Sequence, residues 1–420
     1  MFLYQLRDMQ LAALAPWQFM AFAVEKILKT PLWPFVHQDE SDELGLHLAT
    51  LEQSARFYAK IPFRLARTKT RGQSVAVREQ IIARTPFCDL IHFERVSFDP
   101  ELSVSLSREP RILLLTPYSG HCAAVMRDTV RALLPQHNVY VTEWADAKNV
   151  PLAMGTFDLD DQIGLMAQFI RKLGCDVHVI AISQASLPAL AAISLLAEAQ
   201  TPCAPRTLTL IGGPIDSKRA LSPLGRVALS HPLSWFQNTQ IQYVPPYYPG
   251  AFRFVYPGFM RLRNRMAMIS SIQLTEQKKY FAHLVQGCEE SGVELADLYE
   301  SFLAVTDVPS ELYLQFIERA YQQAALASGS YLWRGRRVNP AAIRETALLT
   351  VEAELDNFSP PGQTAAALTL CSGLRNSMKQ SHLEIGAGHY AIFTGRKWRN
   401  TIAPLIQNFI HKHAFSILEP

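Results

Sequence analysis

Arg111–Leu115, Val139–Thr142, Val177–Ile182, Thr207–Ile211 and Ala347–Val351 are short, nearly unbroken apolar runs. Helical stretches at 121–134, 160–173 and 186–199 separate the first four. Strands with no polar face must be covered on both sides, and helices in the crossovers do the covering. The pattern therefore predicts an α/β fold with a mostly parallel central sheet flanked by helices. A strand near 382–385 and a helix from Trp398 to His411 complete the series.

Outside this alternation the chain reads differently. Residues 1–85 read as a helical N-terminal extension: Leu3, Leu6, Trp17, Met20, Val24, Ile27 and Leu28, then Leu44, Leu48, Leu51, Ala55 and Tyr58, recur at three- and four-residue steps. The sheet then divides into a first part, 86–216, and a second, 344–420. Between them, 217–343 is an insertion with nine aromatic residues from Trp235 to Phe259, broken into loop by Pro232, Pro245, Pro246, Pro249 and Pro257. Such an insert suits a lid over a site at the strand C-termini, with Trp235, Phe236, Tyr247 and Tyr248 as candidate substrate-contacting rings. Packing a small subdomain is the other use of so many rings.

Composition narrows the function classes. Lys plus Arg is 40 and Asp plus Glu 37, a net +3, with 18% charged and 49% hydrophobic residues. Disorder needs the opposite bias, and a dedicated nucleic-acid binder needs a concentrated basic face. The six cysteines show no metal-ligand spacing and read as reduced thiols of a cytoplasmic protein, with Cys122 and Cys175 as small buried hydrophobes. Charges at Arg7, Asp8, Glu25 and Lys26 interrupt the N-terminal apolar stretch, unlike a signal peptide. The longest apolar stretch elsewhere, 187–197, falls short of the ~20 residues that span a bilayer.

The chemistry concentrates at three strand ends. The run Val177–Ile182 leads through Ala181-Ile182-Ser183-Gln184-Ala185 into a helix, which matches a strand–turn–helix nucleophile elbow with alanine at both flanking glycine positions. Past the strand ending at Val351 stands Asp356, and Gly386-Ala-Gly-His389 follows the last strand. Nucleophile, acid, histidine is the chain order of the triad in α/β-hydrolases. A serine hydroxyl is a weak nucleophile and needs a base, and an imidazole with a pKa near ~6.5 can take its proton and return it to the leaving group. Asp356 would hold the ring's tautomer, with Asp216 the main rival and Glu354 a weaker one. Oxyanion donors are expected from the backbone N–H of Gln184 and from the loop Thr116-Pro-Tyr118-Ser119-Gly120-His121.

Other polar residues have plainer readings. His121 reads as a helix-start or site-wall residue, His178 as a hydrogen-bonded core histidine, and Asp158, Asp160 and Asp161 as the start of a helix. Arg334-Gly-Arg-Arg337 reads as a solvated turn.

At these residues the chain resembles the intracellular polyhydroxyalkanoate (polyhydroxybutyrate) depolymerases. The similarity includes Leu11-Ala-Ala-Leu-Ala-Pro16, Pro117-Tyr-Ser-Gly-His121, Phe157-Asp-Leu-Asp-Asp161, Asp176-Val-His-Val-Ile-Ala181, Leu208-Thr-Leu-Ile-Gly-Gly-Pro-Ile-Asp216, Val255-Tyr-Pro-Gly-Phe259, Arg334-Gly-Arg-Arg-Val-Asn-Pro340 and Gly388-His-Tyr390. The resemblance implies hydrolysis of ester bonds in stored polyester within the cell, with a granule surface or hydroxyalkanoate oligomers as substrate. It implies no cofactor, metal or nucleic acid, and leaves a homo-oligomer open. One departure stands out: family members look to carry cysteine in a Cys-Gln-Pro context where this chain has Ser183, Gln184 and Ala185. A general esterase or thioesterase on small acyl substrates, and a non-catalytic granule protein that keeps the shell, are the alternative readings.

Overall fold

The computed structural model describes residues 4, 5, 9, 61–120, 122–199, 204–261, 301 and 304–414. Expectations for the rest of the N-terminal extension, for His121, Cys203 and Cys288 and for much of the lid lie outside these residues.

Strands β1 (Arg67–Thr70), β2 (Gln73–Arg84), β3 (Cys88–Val96), β4 (Arg111–Leu115), β5 (Asn138–Trp144), β6 (Val177–Ile182) and β7 (Thr207–Ile211) form one sheet. With β13 (Ala347–Ala353) and β14 (Lys379–Glu384) it has nine strands, ordered β1-β2-β3-β5-β4-β6-β7-β13-β14. From β5 to β14 every pairing is parallel, whereas β3 runs antiparallel to both β2 and β5. Apart from the added β1, this order and the single reversed strand near one edge are those of the α/β-hydrolase sheet.

The expected helix is absent from 67–84, where β1 and β2 form a hairpin. Thr70 faces Gln73 across Arg71 and Gly72, with φ +48° and +79°, the paired positive angles of a tight two-residue turn. β2 is an edge-side strand in which only Val75 is fully buried, so it has no continuous apolar run to announce it.

Alternate residues of the inner strands feed two cores. Leu113, Leu115, Val179, Ala181, Leu208, Leu210 and Leu348 pack under α3 (Leu159–Leu173) and α4 (Ser186–Glu198). Ile112, Leu114, Ile180, Ile182, Ile211, Leu349 and Val351 pack on the other face, under α8 (Ala403–Ala414) and the preceding turn with Trp398. Before these helices come α1 (Pro100–Ser107) and α2 (Arg127–Leu133), the latter on the α8 face. Asp158 begins α3 with a reciprocal cap: its side chain accepts from Asp161 N–H, and the Asp161 carboxylate accepts from Asp158 N–H. His178 is a buried core histidine bonded to Thr207 Oγ1 at 3.0 Å. Cys175 is exposed, contrary to expectation, because it sits in the turn after α3; Cys122 is buried.

Between β7 and β13 the insertion contains helices as well as loop. Its elements are α5 (Pro223–Ser230), α6 (Leu233–Gln240), a three-stranded sheet of β8 (Gln242–Tyr243), β9 (Phe254–Tyr256) and β10 (Val308–Pro309), then α7 (Ser310–Phe316). A small hairpin, β11 (Leu332–Trp333) and β12 (Arg336–Arg337), carries the basic turn, tied down by Arg334–Asp161 at 2.7 Å and Arg336–Glu198 at 2.9 Å. The insertion is stapled to the core through buried Arg253, whose guanidinium donates to the carbonyls of Val150, Pro151 and Gly155 at 2.7–3.0 Å. Tyr4 is buried against Val244, Val255 and Ala147 and donates its hydroxyl to Asp307.

Candidate active site

β6 ends in a sharp turn at Ser183, which has φ +53°, and the chain passes through Ser183–Ala185 into α4. A non-glycine residue in the left-handed region is strained, and strain of this kind is held where the surrounding structure over-determines it. Here the determinants are small, buried neighbours. Ala181 and Ala185 are fully buried, and a Cβ added to Gly213 would overlap Ser186 and stand 2.9 Å from the Ser183 carbonyl oxygen. Thr364 pins Gly213 from the other side, donating to its carbonyl at 2.9 Å and accepting its N–H at 2.8 Å.

The turn aims Ser183 Oγ at the His389 ring, 3.1 Å from Nε2. On the other side of the ring, Nδ1 lies 2.6 Å from Asp356 Oδ2. Both His389 and Asp356 are buried. With Nδ1–H donating to the carboxylate, Nε2 is left to accept the serine proton. Such a line can draw a proton from the hydroxyl while the carboxylate steadies the imidazolium.

Three carboxylates, one at the end of β13 and two beyond it, divide the work of shaping this region. Glu352 Oε1 accepts the N–H groups of Gly362, Thr364 and Ala365 at 2.8–3.0 Å. Glu354 accepts Gly386 N–H at 2.8 Å, and Leu355 N–H donates to Ala387 O at 2.9 Å, so the acid's loop is knitted to the histidine's. Asp356 Oδ1 accepts from Phe358 and Ser359 N–H at 2.7 and 2.9 Å, which leaves Oδ2 for the ring. The rival Asp216 turns instead to Lys218 N–H at 3.2 Å and to the Arg219 guanidinium at 3.5 Å.

Ser183 and His389 open on a cavity of about 320 Å³. Its walls include Tyr118, Ser119 and Gln184, the residues expected to supply oxyanion donors, with Pro117 beside them. Tyr118 is held by stacking on Trp144 with ring centres 4.9 Å apart and by donating to Ala145 O at 2.7 Å. Burial pushes its phenol well up, so it stays neutral. Among the described residues no cluster of His, Cys, Asp or Glu could hold a metal ion.

Residues 212–414 match the family described as PHB de-polymerase C-terminus, a span that contains Asp356 and His389. Over that span the chain is similar to the PHB depolymerase C-terminal domain. No protein with a curated description matches it in sequence. Among solved structures it is similar to a soluble variant of monoglyceride lipase from Saccharomyces cerevisiae, in complex with a substrate analogue. That match has TM-score 0.48 and 9% identity, covering 85% of this chain and 100% of that one. The monoacylglycerol lipase of Paleococcus ferrophilus matches with TM-score 0.45 and 13% identity over 72% and 94%. Naproxen esterase from Bacillus subtilis matches with 0.42 and 10% over 80% and 92%.

The four candidate substrate rings do not reach the cavity. Trp235 packs on His231 and edge-on against buried Phe236, while Tyr247 is exposed and pairs with Tyr248, which lies over Tyr4 and Lys148. The aromatic wall is built by Tyr256, Tyr313, Phe316 and Tyr321 from the insertion, and by Phe358, Tyr390 and Phe393 around the histidine. Adjacency to Asp356 and His389 was a usable signal for the last three. For Tyr313 and Phe316 only the apolar face of a short helix could have spoken.

Proposed function

We propose that this protein is an ester hydrolase of the polyhydroxyalkanoate depolymerase type, with Ser183 as nucleophile, His389 as base and Asp356 as its orienting acid. One observation carries the reading: serine, imidazole and carboxylate lie in one hydrogen-bonded line at 3.1 and 2.6 Å, opening on a mostly apolar cavity. Ser183 Oγ attacks the ester carbonyl as Nε2 takes its proton. The carbonyl oxygen becomes an oxyanion received by the N–H of Gln184 and by the Tyr118–Ser119 loop, each donor contributing about 2.7–4 kcal/mol. Collapse breaks the ester C–O bond, and the leaving alkoxide takes the proton from His389. Water, deprotonated by the same imidazole, then cleaves the acyl-serine.

The substrate we assign is 3-hydroxyalkanoate polyester or its oligomers, presented at a granule surface within the cell. Four exposed rings of the insertion, Tyr243, Tyr247, Phe252 and Phe254, offer an apolar face for that surface. The test is hydroxyacid release from amorphous polyhydroxybutyrate by wild type and Ser183→Ala side by side. Release by wild type and loss in the variant is the expected result, and equal release by both sinks the assignment. Turnover of short p-nitrophenyl esters without polymer hydrolysis would instead mark a general esterase.

A further inference from the structure

One wall of the catalytic cavity stands on a widened helical turn. Beyond α7 the helix continues as a π-turn over Ile317–Gln322, in which Gln323 N–H reaches back five residues to Glu318 O at 2.8 Å. Turns of this kind are rare and collect at functional sites. Continued at about 3.6 residues per turn, the helix would bring Ala320, four places from Phe316 and seven from Tyr313, to the middle of the face those rings share. The wider turn holds an extra residue, and Tyr321 lines the cavity beside Phe316 and Ile317 while Ala320 does not. Groups outside the turn hold it in this form. Ser217 donates to Ala320 O at 2.7 Å, and the Gln322 side-chain amide donates to Ala228 O and His231 O at 3.0 and 2.9 Å. The chain then leaves through Ala324, at φ +49°.

We propose that this turn sets which acyl units the enzyme accepts, with Tyr321 and Ile317 as the residues that limit side-chain length. The proposal rests on the ester-hydrolase reading of Ser183. The leaving alkoxide takes its proton from His389, so the alcohol side of the ester lies against the imidazole. Among the described residues the rings packed on that imidazole are Phe358, Tyr390 and Phe393, with centres 5.0, 5.8 and 5.5 Å away, and none belongs to the insertion. The acyl chain runs from the carbonyl carbon away from the leaving oxygen, and so towards the insertion. There Tyr321 is buried against α5, where a Cβ added to Gly225 would stand 3.9 Å from its ring. It also meets Phe316 edge-on, ring centres 5.9 Å apart. An acyl unit too long to end before this wall must displace packed side chains, so short hydroxyacyl units are favoured.

The experiment uses the p-nitrophenyl esters of 3-hydroxybutanoate and 3-hydroxyoctanoate, which share a leaving group and differ only in acyl length. Wild type should favour the shorter ester in kcat/KM by about tenfold or more. Tyr321→Ala should bring the two within about threefold of each other or reverse their order, and Ile317→Ala should move the ratio the same way. Tyr321→Phe, which keeps the bulk and drops the hydroxyl, should keep the wild-type ratio. Val125→Ala, at a cavity residue outside the insertion, should keep it too. A tyrosine that only supports the fold would lower both rates together and leave the ratio intact, which overturns the proposal. An equal shift of the ratio in Val125→Ala overturns it as well. Equal turnover of the two esters by wild type, or preference for the longer one, overturns it while the hydrolase reading stands. Turnover of neither by wild type overturns both.

Discussion

Gly213 and Ser186 touch so closely that the glycine has no room for a side chain: its Cβ would overlap the Ser186 Cβ and Oγ. Ser186 is anchored beneath the elbow by donating to Ala181 O at 3.2 Å. Gly213→Ala must therefore push the first turn of α4 away from β7 and shift Ser183 with it. Overpacking of this kind costs about 1–3 kcal/mol, and a displacement near 1 Å at a reacting group costs about 10²-fold in rate. The expected variant is folded, with a lowered Tm and a kcat/KM for a soluble ester reduced about 100-fold. Unchanged turnover would mean that the elbow's position does not set the rate.

Asp356→Asn separates orientation from shape. Asparagine can still accept from Phe358 and Ser359 N–H through its carbonyl, so the loop should survive. Its amide would then face Nδ1 as a donor and favour the tautomer with the proton on Nε2, where it cannot accept from Ser183. A fall in kcat of about 10⁴ with little change in Tm is expected. A loss below tenfold would point to another orienting group.

That Ser183, Asp356 and His389 meet was legible because the parts are local: a buried strand breaking at Ser183, an acid past a strand end, a histidine in a glycine-containing loop. Alanine at 181 and 185 did not hide the elbow, since the requirement is small size, and both are fully buried. The hairpin at 67–84 was not legible, because an edge strand buries few side chains and its one sharp signal was the Arg71–Gly72 turn. The cavity wall was missed for a different reason. Aromatic density around Trp235 and Tyr247 marks an insertion, but which ring faces the serine depends on how the insertion docks. Here docking is fixed by Arg253 and by Gly250, where a Cβ would meet three carbonyl oxygens of residues 147–150 at 2.7–2.8 Å.

The exposed rings of the insertion carry a prediction about surfaces. Tyr243 pairs with Phe254 across β8 and β9, ring centres 4.1 Å apart, and Phe252 beside them has φ +66° while exposed. A left-handed phenylalanine costs roughly 1–2 kcal/mol, and this one recovers little by packing. Phe252→Gly should leave Tm unchanged or raised, yet weaken co-sedimentation with amorphous polyester granules, more so with Phe254→Ser added. Undiminished adsorption in the double variant would show that these rings do not meet the polymer.

Two buried histidines predict acid sensitivity of the fold, apart from any effect on catalysis. Burial drives His178 down to about 3, with His137 and Arg206 adding nearby positive charge, and drives His137 down to about 4. His137 Nδ1 lies 3.1 Å from Leu133 O, which fixes it as a donor, and the ring is neutral in the folded protein. The unfolded chain binds a proton at each site near ~6.5, so between that pH and the folded values it holds more protons than the native state. The stabilisation is whole above pH ~6.5 and is lost as pH falls towards 4 and then 3. By pH 5 the loss from the two together amounts to about 4 kcal/mol. The urea midpoint should drop between pH 7 and pH 5, and His178→Gln should remove about half of that slope, whatever it does to stability at pH 7. A midpoint with the same pH dependence in the variant would mean that His178 does not titrate on unfolding as its burial requires.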